Sequence, residues 1–402
     1  MEVVVAQQLW AGIDGGKSAH HCVVIDGDGQ RLLSRRVAND ETVLLELVDA
    51  VITLADGGEV TWAVDLNHGG AALLIVLLVA AKQSLLYIPG RAVHHASGSY
   101  RGDGKTDAKD AAIIADQARM RRDLQPLRPG DELAVELRIL SSRRTDLAAD
   151  RTRAINRLRA QLLEYFPALE RAFDYSNSKA ALLLLTGYQT PDGLRRVGAA
   201  RLQAWLRKRT AYNATAIAAT AIEAANAQRT AVPGQQIASD MVARLAKEVL
   251  ALDTEISDTE KMIEDRFRRH VHAEIILSMP GFGVALGAEF LAATGGDLTA
   301  FDSVDRLAGV SGLAPVPRDS GRVCGNHKRP KRYDRRLLRA CYLSAQIAIR
   351  NDPVSRTYYD RKRSEGKTHT QAVLALARRR LNVLWAMLRD HTIYQPTTTA
   401  AA

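Results

Sequence analysis

The chain has 402 residues, enough for two or three domains that each bury a core. Lysine and arginine outnumber aspartate and glutamate by ten, which points to nucleic acid or another anionic surface as a partner. Cys22, Cys324 and Cys341 are widely separated and form neither a metal-type spacing nor an even disulfide framework, so a reducing cytoplasm is expected. Met1 to Val5 carries no basic region or long apolar core of an export signal, and the longest apolar run, Ala71 to Ala81, is about half the ~20 residues a membrane span needs. No membrane association is expected.

Leu9 to Asp14 is an apolar run that ends on an aspartate. His21 to Ile25 and Arg31 to Leu33 flank the turn Asp26-Gly27-Asp28-Gly29, so the three runs predict three antiparallel strands. Asn39 is expected to cap a helix bearing Val43, Leu44, Leu47, Val48 and Val51 at helical spacing. Thr61 to Asp65 reads as a strand that again ends on aspartate, Gly70 to Lys82 as a very apolar helix, and Leu85 to Ile88 as a strand. A further helix begins within Gly104-Lys105-Thr106-Asp107-Ala108-Lys109-Asp110-Ala111. The order strand, strand, strand, helix, strand, helix, strand, helix matches a ribonuclease-H fold, a mixed sheet with helices on both faces.

Taken alone, Asp107 and Asp110 are an ordinary acidic helix start behind a Thr106 cap. Asp14 and Asp65 change that reading, because a carboxylate in a buried strand is disfavoured by propensity and costly to desolvate. The four aspartates fall where a ribonuclease-H sheet would gather a metal site. Their mutual repulsion calls for Mg²⁺, and four carboxylates suit two hard cations that bracket a phosphate. Lys105 and Lys109 interleave the acidic pair; they either contact nucleic-acid phosphate or lower the local repulsion. His20, His21, His68, His94 and His95 read as surface or packing residues.

Asp131 to Phe166 predicts one long helix, with Leu133, Leu137, Leu140 and Leu147 on a stripe that Arg144 and Arg151 interrupt. Met241 to Phe267 predicts a second, with Leu245, Val249, Leu252, Ile256 and Ile263 at heptad spacing and Thr259 in the gap. Two such helices are expected to pack as an antiparallel coiled-coil arm, within one chain or between chains, with a plain helical bundle as the alternative. Arg144 and Arg151 suit a phosphate backbone, or else belong to a solvated charged face. Between the helices lies an alanine-rich region broken at Thr190-Pro191-Asp192-Gly193 and Val232-Pro233-Gly234.

Met279-Pro280-Gly281-Phe282-Gly283 precedes a helix over Val284 to Ala293, a turn that presents backbone N–H groups to phosphate. Ser320 follows Asp319 in a loop, and on its own reads as a turn residue. The run Lys328, Arg329, Lys331, Arg332, Arg335, Arg336 and Arg339 is a candidate phosphate clamp. Leu337 to Arg350 and Thr370 to Arg389 complete the chain as helices, and the tail from 396 to 402 is expected to be disordered.

Several of these pieces, in this order, resemble the insertion-sequence transposases of the family numbered one hundred and ten, the 116/902 type, which includes the Piv-type DNA invertases. They are Gly12-Ile13-Asp14, the strand ending at Asp65, Lys105 to Ala111, Met279 to Gly283, Gly312-Leu313-Ala314-Pro315 leading to Ser320-Gly321, Gly366-Lys367, and Trp385 to Arg389. The resemblance implies a RuvC-like ribonuclease-H domain over 1–128, a helical coiled-coil arm over 129–270 and a mainly helical C-terminal transposase domain over 271–395. It implies that Asp14, Asp65, Asp107 and Asp110 bind Mg²⁺ and that Ser320 attacks a DNA phosphate to form a phosphoserine link. It further implies a bridge RNA that pairs with donor and target DNA, a homo-oligomer (a dimer or dimer of dimers) with a composite site, and residence at the bacterial nucleoid. Two positions depart from the family pattern. Asp65 stands where glutamate is usual, and Asp319 where a second serine often precedes the nucleophile, with Ser311 as the fallback. The competing readings are a RuvC-type nuclease that uses the tetrad and water, and a basic coiled-coil protein that binds nucleic acid without chemistry.

Overall fold

A computed structural model describes residues 8–67, 69–101, 104–127, 131–298, 301–317, 319–322, 324, 327–328 and 330–396. The expectations for His68, Arg329 and the tail beyond residue 396 lie outside them. The chain divides into two compact units, Met1–Asp131 with Thr299–Asp302, and Glu132–Leu298 with Ser303–Ala402. Among the described residues no helix is long and apolar enough to cross a membrane.

The first unit is built on a six-stranded sheet. Strands β1 (Leu9–Asp14), β2 (Ala19–Ile25) and β3 (Arg31–Ala38) form an antiparallel meander. Strand β4 (Val60–Val64) returns parallel to β1, β5 (Ser84–Tyr87) lies parallel to β4, and the two-residue β6 (Gln125–Pro126) closes the edge antiparallel to β5. The spatial order is β3-β2-β1-β4-β5-β6. Successive side chains of a strand alternate between faces, and both faces of the central strands are covered. Leu9, Ala11 and Ile13 share one core with α1 (Glu41–Leu54) and α2 (Ala72–Ala80). Trp10 shares the other with α3 (Gly90–Ser97) and α4 (Asp107–Met120).

The cap of α1 corrects the sequence reading. Asp40, not Asn39, accepts from Thr42 N at 3.1 Å and Val43 N at 3.3 Å. Asn39 is drawn away by the start of the α2 region, where its Nδ2 donates to Gly70 O at 2.9 Å. Helix α3 and strand β6 were not expected from sequence, and Asp65 falls one residue past the end of β4.

Among its described residues the second unit is mainly helical, with a two-residue ladder, β7 (Val316–Pro317) with β8 (His327–Lys328). Its spine is α5 (Glu132–Tyr165) against α10 (Gln235–Arg269). The pairs Glu136–Arg266, Arg144–Glu260 and Arg151–Asp253 run in opposite sequence directions, so the two helices are antiparallel. Short helices α6 (Pro167–Ala172) and α7 (Lys179–Leu185), then α8 (Pro191–Lys208) and α9 (Ala214–Asn226), pack around the C-terminal half of α5 and the N-terminal half of α10 in one apolar core. The remainder comprises α11 (Ala273–Ser278), α12 (Val284–Thr294), α13 (Val304–Val310), α14 (Arg335–Asn351), α15 (Pro353–Ser364) and α16 (His369–Arg389). Helix α12 packs on both α5 and α10. The stretches expected as an arm and as a C-terminal domain therefore belong to one compact unit.

A buried arginine ties this unit together. Arg380 on α16 donates to Pro280 O, to Ser344 Oγ on α14 at 3.0 Å and to Ser355 Oγ on α15 at 3.2 Å. Ser355 in turn donates to the α15 cap, Asp352 Oδ2, at 2.6 Å. Burial lowers the Arg380 pKa to about 10, against the opposing pull of Asp352. The turn it grips needs glycine. Gly281 has φ +84, and a Cβ there would strike the Ser344 carbonyl oxygen.

Candidate functional site

Four carboxylates from three elements meet beyond the C-terminal ends of β1 and β4, the edge at which open α/β sheets bind ligands. Asp14 is the last residue of β1, and Asp65 follows β4 in the neighbouring parallel strand. Gly15 N–H donates to Asp65 Oδ1 at 3.0 Å, which binds the two strand ends together. Thr106 caps α4, its Oγ1 accepting from Lys109 N at 3.2 Å, and Asp107 and Asp110 occupy the first turn. Helix α4 reaches this position because Gly12 has no side chain. A Cβ there would collide with the backbone of Ala111 and Ala115.

Asp14 and Asp65 both feel the charges of this group. Burial and then the charges of Asp65, Asp107 and Asp110 push Asp14 up to about 6, with Lys105 opposing them. Asp65 is also raised, chiefly by burial and further by Asp110, against backbone hydrogen bonds that favour its charge. Carboxylates in mutual repulsion are the donor set a hard cation would relieve. Among the described residues, no three His, Cys, Asp or Glu side chains stand close enough to enclose one ion as they are placed. The tetrad is thus an electrostatic group more open than a closed coordination shell.

Two histidines that sequence reasoning set aside border this group. His21 lies opposite Asp14 in the β1–β2 register, feels the charge of Asp107, and its Nε2 is 3.0 Å from Ser34 Oγ. His20 is buried, accepts from Gly16 N–H at Nδ1 (3.2 Å) and feels Asp65. Burial holds both rings below the usual histidine pKa. The signal was the alternation along β2, readable only with the strand register.

The remaining candidates separate clearly. Ser320 is exposed, and no base is hydrogen-bonded to its hydroxyl among the described residues. Ser311 is fully buried and donates to Ala308 O at 3.0 Å, so of the two only Ser320 is open to solvent. Lys105 is exposed beside the tetrad, and Lys109 follows Asp107 on α4. Arg144 and Arg151 are paired with Glu260 and Asp253 across the long helices, and Arg151 also donates to Ser176 O at 2.9 Å. Lys328 lies in β8, Lys331 and Arg332 precede α14, and Arg335 and Arg336 open it, all five exposed. Two arginines in a first turn oppose the helix dipole, a local cost that a bound anion would offset.

Comparison with known proteins finds relatives along the whole chain. A family model described as a transposase matches residues 11–167, and a second, described as the transposase IS116/IS110/IS902 family, matches 273–360. An uncharacterized 42 kDa protein of insertion element IS900 from Mycobacterium paratuberculosis is 75% identical over 99% of this chain and 100% of its own. An uncharacterized 44.8 kDa protein of insertion element IS116 from Streptomyces clavuligerus is 52% identical over 97% of this chain and 96% of its own. The mini-circle putative transposase for IS117 from Streptomyces coelicolor is 28% identical over 98% of both chains.

Proposed function

The chain belongs to the IS116/IS110/IS902 family of transposases, and from that premise we propose that it cuts and rejoins DNA strands with the aspartate tetrad and Ser320, guided by a bridge RNA. The observation that carries the proposal is the convergence of Asp14, Asp65, Asp107 and Asp110 at one sheet edge, each raising the pKa of Asp14 or lying beside a residue that does. The strand order β3-β2-β1-β4-β5, with β1, β4 and β5 parallel, supports a RuvC-like ribonuclease-H reading of the first unit.

The tetrad would hold Mg²⁺, which supplies charge neutralisation at phosphate oxygens and lowers the cost of bringing a polyanion to four carboxylates. The chain's own residues do the rest. Lys105 brings positive charge to the acidic edge, and the exposed Lys328, Lys331, Arg332, Arg335 and Arg336 hold DNA phosphates. Ser320 Oγ forms a bond to phosphorus as one sugar–oxygen bond to that phosphorus breaks. The hydroxyl proton passes to solvent, and the released strand end leaves as a hydroxyl. Attack by a hydroxyl of the second strand reverses the step and frees the serine. The phosphodiester is conserved throughout, so no external energy source is required.

Base pairing with a guide RNA delegates sequence reading, which leaves backbone contacts to the protein. Ile139 and Met262, 59% and 49% exposed on α5 and α10, support a homo-oligomer contact along the long helices. A strand-exchange assay tests the whole reading. Ser320→Ala is expected to abolish exchange and the covalent adduct, and Asp107→Ala to abolish both cleavage and exchange. Full exchange by Ser320→Ala refutes the nucleophile, and full activity of Asp107→Ala refutes the tetrad. Cleavage without exchange by Ser320→Ala would mark a nuclease that uses water. Sequencing the nucleic acid that co-purifies checks the guide.

A further inference from the structure

The loop between α8 and α9 takes no part in either site described above. Thr210 and Asn213 both sit in the left-handed region, at φ 54 and φ 59, and a β-branched threonine is an outlier there. The loop is held nonetheless. The Arg209 guanidinium lies 3.7 Å from the Trp205 ring centroid and donates to Trp205 O at 3.3 Å. What this scaffold displays is Tyr212, 88% exposed. Beside it opens a cleft of about 380 Å³ lined by Asn177, Ser178, Lys179, Thr210, Tyr212 and Asn213, among others.

The α8–α9 stretch beside the cleft is one-sided in charge, although the cleft-lining Asn177 donates from Nδ2 to Asp174 at 2.7 Å. From Asp192 to Glu223 the chain has six basic residues and no acidic residue between those two. Lys179 and Lys208 are exposed, and neither makes an ion pair among the described residues. A single exposed aromatic is unremarkable by itself. An exposed ring on a strained, anchored loop, over a cleft of mixed polar and apolar lining with Lys179 on its wall, is the pairing of stacking platform and phosphate contact that unpaired nucleic acid uses. The volume is that of a small-ligand pocket and admits one nucleotide, not a duplex.

We propose that this cleft binds an unpaired nucleotide, its base stacked on Tyr212 and its phosphate held by Lys179. The inference rests on the nucleic-acid reading above and adds a second contact point for a looped or single-stranded segment. The test measures binding of wild type, Tyr212→Ala, Tyr212→Phe and Lys179→Ala to an unstructured RNA strand, a DNA strand of the same sequence, and a blunt DNA duplex. Tyr212→Ala is expected to lose about tenfold or more on the single strands while Tyr212→Phe stays within about twofold of wild type. Lys179→Ala is expected to weaken single-strand binding and flatten its salt dependence, and duplex affinity is expected to hold in all three. A preference for one strand over the other identifies which of the two supplies the nucleotide. Equal single-strand binding by Tyr212→Ala and wild type, or an equal loss on duplex, overturns the inference. Strand exchange is the separate judge of the transposase mechanism and is untouched by that result.

Discussion

Replacing Asp14 with asparagine is expected to stabilise the metal-free protein above pH 6 while destroying its chemistry. Asp14 is half-buried, and Asp65, Asp107 and Asp110 face it from just past β4 and from α4, with Lys105 as the countercharge and His21 beside it on β2. Its carboxyl ionises near 3.8 in the unfolded chain and at about 6 in the folded one. Between those pH values the folded state holds the extra proton, so stability falls as pH rises and the loss is complete above about 6. A gap of about two pH units corresponds to ~3 kcal/mol at most, and solvent screening at a half-open site reduces this to ~1–2 kcal/mol. Asparagine keeps the shape without the charge, so it recovers that amount at pH 7.5 and almost none at pH 4. For a unit of this size ~1 kcal/mol is worth about 3–5 °C in melting temperature. Thermal melts of both proteins in chelator at the two pH values read the difference directly. Adding Mg²⁺ at pH 7.5 is expected to raise wild type more than the variant. A variant that melts no higher than wild type at pH 7.5, or gains equally at both pH values, refutes the repulsion on which the tetrad reading depends.

Three further outcomes follow from the packing. Gly12→Ala is expected to cost ~2–3 kcal/mol, because the new Cβ meets backbone on α4 that cannot rotate away; a loss under ~0.5 kcal/mol in denaturant melts would show that α4 shifts freely. Arg380→Met is expected to cost ~3–5 kcal/mol by leaving Pro280 O, Ser344 and Ser355 without their shared donor, and a variant as stable as wild type would show that the buried cation is not the tie between α14, α15 and the Pro280 turn. Arg151→Ala is expected to lower the melting temperature of the long-helix pair with DNA affinity unchanged; a fall in affinity at constant stability would return Arg151 to the phosphate backbone.

Much of the first unit was legible because its elements are announced locally. Leu9 to Asp14 and Thr61 to Val64 are apolar runs bounded by polar turns, and their closing aspartates mark the sheet edge without any knowledge of register. What failed depended on distant partners. Asn39 and Asp40 are equivalent caps by chemistry, and only the Gly70 carbonyl decides which one is free. His21 looked like a surface residue until the β1–β2 register set it opposite Asp14. Arg380 reads as one more charge on a basic helix, and nothing near it in sequence reveals that Pro280, Ser344 and Ser355 enclose it. Helix α15 was hidden because its start, Asn351-Asp352-Pro353, reads equally as a helix break and as a capped N-terminus with proline in the first turn.

The arginine-rich helix α5 shows why charge density alone misplaces a nucleic-acid surface. It carries seven basic and five acidic residues, and α10 carries six basic and eight acidic. Packed antiparallel, the pair is neutral, and Arg143, Arg144 and Arg151 each meet a carboxylate of α10. The whole excess of ten positive charges therefore lies outside the two longest helices. Two stretches are rich in it: the segment from Lys328 to Arg363, with twelve basic residues against three acidic, and the acid-free run around the Tyr212 loop. A polyanion follows net positive charge, because neutralising its phosphates there releases counterions, even where single arginines such as Arg339 and Arg356 also meet carboxylates. Phosphate contacts are thus expected at the C-terminal basic segment and the α8–α9 loop, with the long helices as the spacer that carries them.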